Sequence, residues 1–181
     1  MKRVAVILCD GFEEVEAITP IDILRRAGVD VCVVGVGEIN ITGAHGITII
    51  ADDVFDYFNS LNYDGIVFAG GMKNAISLSQ NTDILKLINY YFENDKLVCG
   101  ICATPAVVFS MTEILKNKKF TCYPSEDLIN LVSDGIYENS KVVYDKILTS
   151  QSPMTATDFA LAIVQVLGYD SSEIEKELKG I

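Results

Sequence analysis

Four short apolar runs restrict this chain more than anything else in it. They are Lys2–Leu8, Asp30–Val36, Asp64–Ala69 and Lys96–Ile101, and helical patterns follow three of them. A strand that is apolar at nearly every position is buried on both faces, which happens when helices cover a parallel sheet from each side. The spacing therefore predicts an α/β domain with helices on both faces of a mostly parallel sheet.

The segments between the runs fill in that plan. Glu13–Ala27 reads as a helix interrupted at Pro20, with Thr19 capping the second piece and Gly28 ending it. Ile41–Ala51 alternates around Gly43 and Gly46, which predicts a hairpin on the sheet edge. Thr82–Glu93 is a clear amphipathic helix, and Pro105–Met111 starts another. Phe120–Cys122 and Ile147–Thr149 read as short strands, with a hairpin around Tyr137–Tyr144. Pro153–Leu167 is a strongly apolar helix closed by Gly168, and Ser171–Leu178 is an amphipathic tail. Without a linker or repeat, residues 1–181 are expected to form one domain. In such a sheet, ligands bind beyond the carboxyl ends of the strands, so residues just after strands are the site candidates.

Composition removes several classes of function. With 14 Lys and Arg against 25 Asp and Glu, the net charge is −11. No basic excess exists to hold a phosphate backbone or an anionic membrane surface. No apolar stretch of about 20 residues is present to span a bilayer. A single histidine excludes His-rich metal centres, and Gly35-x-Gly37 lacks the third glycine of a dinucleotide fingerprint. No metal or cofactor is expected. Met1-Lys2-Arg3 starts like a signal peptide, but Asp10 closes the apolar run far too early. A cytoplasmic protein with reduced thiols is the expectation for its five cysteines, an odd number scattered over apolar segments.

One of those cysteines stands apart. In Lys96-Leu97-Val98-Cys99-Gly100-Ile101-Cys102-Ala103-Thr104-Pro105, a buried strand gives way to a helix start, and Cys102 occupies the turn. That is the elbow arrangement which lifts a nucleophile above a sheet, beside a helix N-terminus that stabilises a thiolate. Spacing alone leaves a second reading open, because free cysteine is also a common small core residue. Cys99 completes a C-x-x-C but lies inside the strand, where a disulfide to Cys102 fits poorly. Gly70-Gly71 ends another strand, and successive glycines there either aim backbone N–H groups at one point or form a plain turn. Glu13, Glu14 and Glu16 follow the first strand. An acidic first turn is ordinarily a solvated complement to the helix dipole, and spacing does not choose one that points inward.

The motifs together resemble a known family. Asp10-Gly11-Phe12-Glu13-Glu14-Val15-Glu16, Pro20-Ile21-Asp22-Ile23-Leu24-Arg25-Arg26-Ala27-Gly28, Ala69-Gly70-Gly71, Gly100-Ile101-Cys102-Ala103 and Leu148-Thr149-Ser150 are similar to the ThiJ/PfpI superfamily. Within it, the branch of the parkinsonism-associated deglycase and its bacterial relatives is the nearest in pattern. The resemblance implies a flavodoxin-like α/β sandwich that forms a homodimer. It makes Cys102 the reactive cysteine, Glu16 its acidic partner, and Gly71 and Ala103 the backbone donors. The implied chemistry is glyoxalase- or deglycase-like action on small reactive carbonyls or their protein adducts. The alternative is an oxidation-sensing or chaperone-like stress protein with little turnover. Ala103 stands where the protease-like branch has a histidine, which disfavours peptidase activity. Tyr123 stands where close relatives have a histidine, Thr104 replaces a glycine, and Gln151 replaces an arginine. His45 occupies a hairpin position where relatives have an arginine near the pocket and the dimer interface. These four residues are therefore possible pocket residues.

Overall fold

A computed structural model describes residues 1–181. The chain begins with β1 (Arg3–Leu8), α1 (Glu14–Arg26) and β2 (Asp30–Gly35), followed by β3 (Asn40–Thr42), β4 (Thr48–Ile50) and β5 (Asp53–Val54). It continues with β6 (Gly65–Phe68), α2 (Met72–Ser79), α3 (Thr82–Glu93), β7 (Leu97–Ile101), α4 (Thr104–Val107) and β8 (Lys119–Phe120). The last elements are α5 (Glu126–Ile129), β9 (Ile136–Tyr137), β10 (Val142–Asp145), β11 (Ile147–Ser150), α6 (Ala156–Val166) and α7 (Ser172–Lys179). Seven strands form one sheet in the order β10-β11-β7-β6-β1-β2-β5, parallel except for the β10–β11 pair.

The alternation along β1 shows why the central strands are apolar throughout. Val4, Val6 and Leu8 enter one core with α1 and α6, where Leu24, Phe159 and Ile163 are buried. Ala5, Ile7 and Cys9 enter the other, with Ile84, Ile88 and Tyr91 of α3 and with Phe109. The expected flavodoxin-like layering is the observed one. The chain leaves β1 toward β2 and later returns to β6 on the other side, so β1 and β6 flank the point where strand order reverses. A crevice at the carboxyl ends follows there, which is the usual ligand position in open α/β sheets.

Several local expectations need correction. The first helix is continuous through Pro20. Burial of Ala17, Ile21 and Leu24 along one stripe outweighs the single hydrogen bond that proline removes. The β3–β4 hairpin exists but forms its own two-stranded sheet, and β5 is the edge of the main one. No hairpin joins Tyr137 to Tyr144. β9 pairs in parallel with β8, while β10 turns back through Lys146, at φ 67°, to pair with β11. The strand expected at Phe120–Cys122 is Lys119–Phe120, and α2 is a further helix beyond those expected.

Candidate active site

Three strand ends converge on Cys102. β7 ends at Ile101, and the next residue adopts φ 62°, a left-handed conformation that costs an L residue about 1–2 kcal/mol. Its backbone is fixed on both sides: its N–H donates to Ser150 O at 2.9 Å, and its carbonyl accepts from Tyr123 N–H at 2.9 Å. The strained turn is thus held by β11 on one flank and by the segment after β8 on the other. Cys102 is partly exposed, whereas Cys9, Cys99 and Cys122 are buried, and none of the five is paired. Cys99 lies in β7 facing the core, so the C-x-x-C is not a dithiol site.

The β6 end supplies the opposite wall. Gly71 adopts φ 86°, and a Cβ there would lie 2.2 Å from Gly11 O, so only glycine permits the chain to pass. At Gly70 a Cβ would lie 2.5 Å from Glu16 Oε2 and 2.7 Å from Cys102 Cβ. The missing side chain is therefore what lets carboxyl and cysteine meet. Glu16 projects from the first turn of α1 and is fully buried. Its Oε2 accepts from Gly70 N–H at 2.8 Å, and its Oε1 is buried without a hydrogen-bond partner.

Burial pushes Glu16 up to about 7, against the opposing pull of Cys102 and the Gly70 N–H. Burial, and then the neighbouring Glu16 carboxylate, push the Cys102 thiol up, while the N–H groups of Ala103 and Gly71 pull it down. Two acids this close titrate as a pair. The first proton to leave is that of Glu16, because burial and the resulting carboxylate hold the thiol proton more tightly. With the thiol proton passed to Glu16, the sulfur is a thiolate facing two backbone donors and a neutral acid.

The remaining sequence candidates fall around this centre. Thr104 is buried and its Oγ1 donates to Ala69 O at 2.7 Å, bracing the β6 end against the elbow. Tyr123 touches Cys102 through its backbone, and its side chain is half exposed. Gln151 donates its side-chain amide to Asn139 Oδ1 at 2.7 Å. His45 does not reach the sulfur; its Nδ1 lies 2.9 Å from Glu14 Oε2 and 3.7 Å from Glu13 Oε1. Glu14 is buried, and its Oε1 also accepts the His45 N–H at 2.7 Å. Burial pushes Glu14 up, but His45 and these backbone donors outweigh it and leave Glu14 below its ordinary value. The acidic turn is thus no solvated ornament: Glu16 enters the site and Glu14 locks the hairpin.

One residue went unnoticed in the sequence. Asn74, fully buried in α2, accepts Cys9 N–H at 2.7 Å and donates to Ala69 O at 2.9 Å and Gly70 O at 3.1 Å. It ties the β1 end to the β6 end. A polar residue four positions after Gly70 is its only signal in the sequence, and α2, which buries it, carries no clear helical pattern there.

A family model described as the DJ-1/PfpI family matches residues 2–166. The chain belongs to the DJ-1/PfpI family. Among family members, Protein DJ-1 homolog B of Arabidopsis thaliana is 32% identical over 165 residues, covering 90% of this chain and 37% of that protein. The chain thus spans well under half the length of that plant relative. A deglycase of Pyrococcus abyssi is 31% identical over 145 residues, covering 79% of this chain and 85% of its own. The crystal structure of Drosophila melanogaster DJ-1beta superposes with a TM-score of 0.92 at 31% identity, covering 98% of this chain and 97% of that one. No helix here is long and apolar enough to cross a membrane.

Proposed function

We propose that this DJ-1/PfpI protein acts on small reactive carbonyls such as methylglyoxal, or on the adducts they form with proteins, with Cys102 as nucleophile. One observation carries the reading: a cysteine on a left-handed elbow beside a fully buried glutamate whose Oε1 has no hydrogen-bond partner. The deglycase among its relatives supports the same chemistry.

The sulfur adds to the aldehyde carbon, and the Glu16 proton passes to the developing alkoxide, giving a hemithioacetal. Glu16, now a carboxylate, takes the proton from that carbon and returns it to the neighbouring one, while the hydroxyl proton on the first carbon passes to the neighbouring oxygen. The resulting lactoyl thioester is cleaved by water to lactate, releasing the thiol. Gly71 and Ala103 N–H groups hold negative charge on sulfur or oxygen throughout. No cofactor enters. The expected result is steady lactate formation from methylglyoxal that Cys102→Ser abolishes; equal rates in the two proteins would end this reading.

A second reading rests on the free Glu16 Oε1. Two equivalents of peroxide convert a thiolate to sulfinate with release of two waters, and a protonated Glu16 would hydrogen-bond the new oxygens. Intact mass after mild peroxide should rise by two oxygens mapped to Cys102. Equal labelling of all five cysteines would exclude it. In either case the protein is proposed to be a cytoplasmic homodimer. Exposed Val15 and Ile18 on α1, and Ile47 and Ile50 at the hairpin, are apolar surface for a second copy. Sedimentation at twice 19.8 kDa is the expected outcome.

A further inference from the structure

Of the 14 Lys and Arg side chains, all but one make an ion pair or, for Lys96, hydrogen bonds to backbone carbonyls. The exception is Lys73. In a chain with 25 acidic residues, an unpaired ammonium is conspicuous, and its position is not arbitrary.

Lys73 lies two residues beyond Gly71, on the first turn of α2, and lines a cavity of about 530 Å³ with Asp10, Gly11, Thr42, Gly43, Ala44 and Met72. It is the only cation of that lining. Its stem lies across Gly11, where a Cβ would come within 2.6 Å of Lys73 Cβ and 2.9 Å of Lys73 Cδ. Asp10 is the one acid of the lining; its Oδ1 is occupied by Thr42 N–H at 2.9 Å, and it forms no ion pair with Lys73. Cys102 and Glu16 do not line the cavity, which meets the elbow through Gly11 and Met72. The loop from Gly11 to Glu13 packs directly on Gly71, Glu13 N–H donates to Gly70 O at 3.1 Å, and Met72 continues the chain from the turn that faces Cys102. Met72 of the cavity lining thus directly follows Gly71, whose N–H faces Cys102.

We propose that Lys73 is a specificity residue that binds the anionic group of the substrate, selecting carbonyl adducts that carry a carboxylate or phosphate over neutral ones. This deepens the carbonyl-processing reading and rests on it. An ammonium held on a glycine-backed stem and free of carboxylate partners keeps its donors for a ligand, and a charge-assisted hydrogen bond is the stronger kind. Asp10, across the same cavity, opposes an anion and so sets an upper limit on its affinity.

The test compares two methylglyoxal hemithioacetals that differ by one charge, those of N-acetylcysteine and of N-acetylcysteine amide, on the full chain. The ratio of kcat/KM for the acid to that for the amide should favour the acid. Lys73→Met should lower the ratio about fivefold, the upper end for an exposed charged contact. Lys73→Arg should retain it, and Asp10→Asn should raise it. A ratio indifferent to Lys73→Met overturns the proposal. If the wild-type chain forms lactate neither from these adducts nor from free methylglyoxal, the carbonyl-processing reading fails, and binding alone then decides on Lys73. In Cys102→Ser, titration with N-acetyl-S-methylcysteine should shift the backbone amide signals of Gly11, Met72 and Lys73. Its amide should not, and Lys73→Met should remove the effect. Equal shifts with both compounds, or none with either, overturn it.

Discussion

Replacing Glu16 by Gln keeps the shape of the side chain and the acceptor for Gly70 N–H while removing the titrating proton. In the folded chain, burial holds Glu16 at about 7, against an ordinary value of 4.5. An acid raised in this way binds its proton more tightly folded than unfolded. The stability it contributes is therefore fully present below pH 4.5 and is lost as pH rises through about 7. The slope reaches about 1.4 kcal/mol per pH unit between those limits. Integrated from pH 5 to pH 7, the loss is about 2 kcal/mol. Urea unfolding of wild type and Glu16→Gln at pH 5, 6 and 7 measures it. The wild type should lose about 2 kcal/mol relative to the variant across that range. A difference that does not move with pH would refute a buried, proton-holding Glu16.

Other substitutions test the supports of the site. Gly70→Ala places a methyl against both Glu16 and Cys102. It should cost about 1–3 kcal/mol of stability by calorimetry and about a hundredfold in lactate formation. Asn74→Leu leaves Cys9 N–H unpaired, because Ala69 O keeps Thr104 and Gly70 O keeps Glu13. A destabilisation of about 1–3 kcal/mol is expected in denaturant titrations. Glu14→Gln weakens the bonds to His45 and Ile47, and hydrogen exchange of those two amides should accelerate while α3 is unaffected.

What the sequence made legible, and what it hid, follows from range. The central strands were readable because burial on both faces leaves an unbroken apolar run, and the elbow because strand, cysteine and helix start are contiguous. Pro20 misled because local propensity marks a break, whereas the buried stripe of Ala17, Ile21 and Leu24 holds the helix through it. The pairing of β9 with β8 was hidden because the segments are two residues each, too short for any period to show. Glu16 and Glu14 could not be told from Glu13 by spacing. What separates them is the approach of Gly70 and of the hairpin, contacts made across 54 and 31 residues of chain.

The proposed chemistry requires Cys102 to be the one cysteine placed to react. Substoichiometric iodoacetamide at pH 7, followed by peptide mapping, measures this directly across all five thiols. Cys102 should be alkylated first, and its rate should respond to Glu16→Gln, which removes the carboxylate that holds the thiol up. Labelling of partly exposed Cys32 ahead of Cys102, or a rate at Cys102 that ignores Glu16→Gln, would contradict the account.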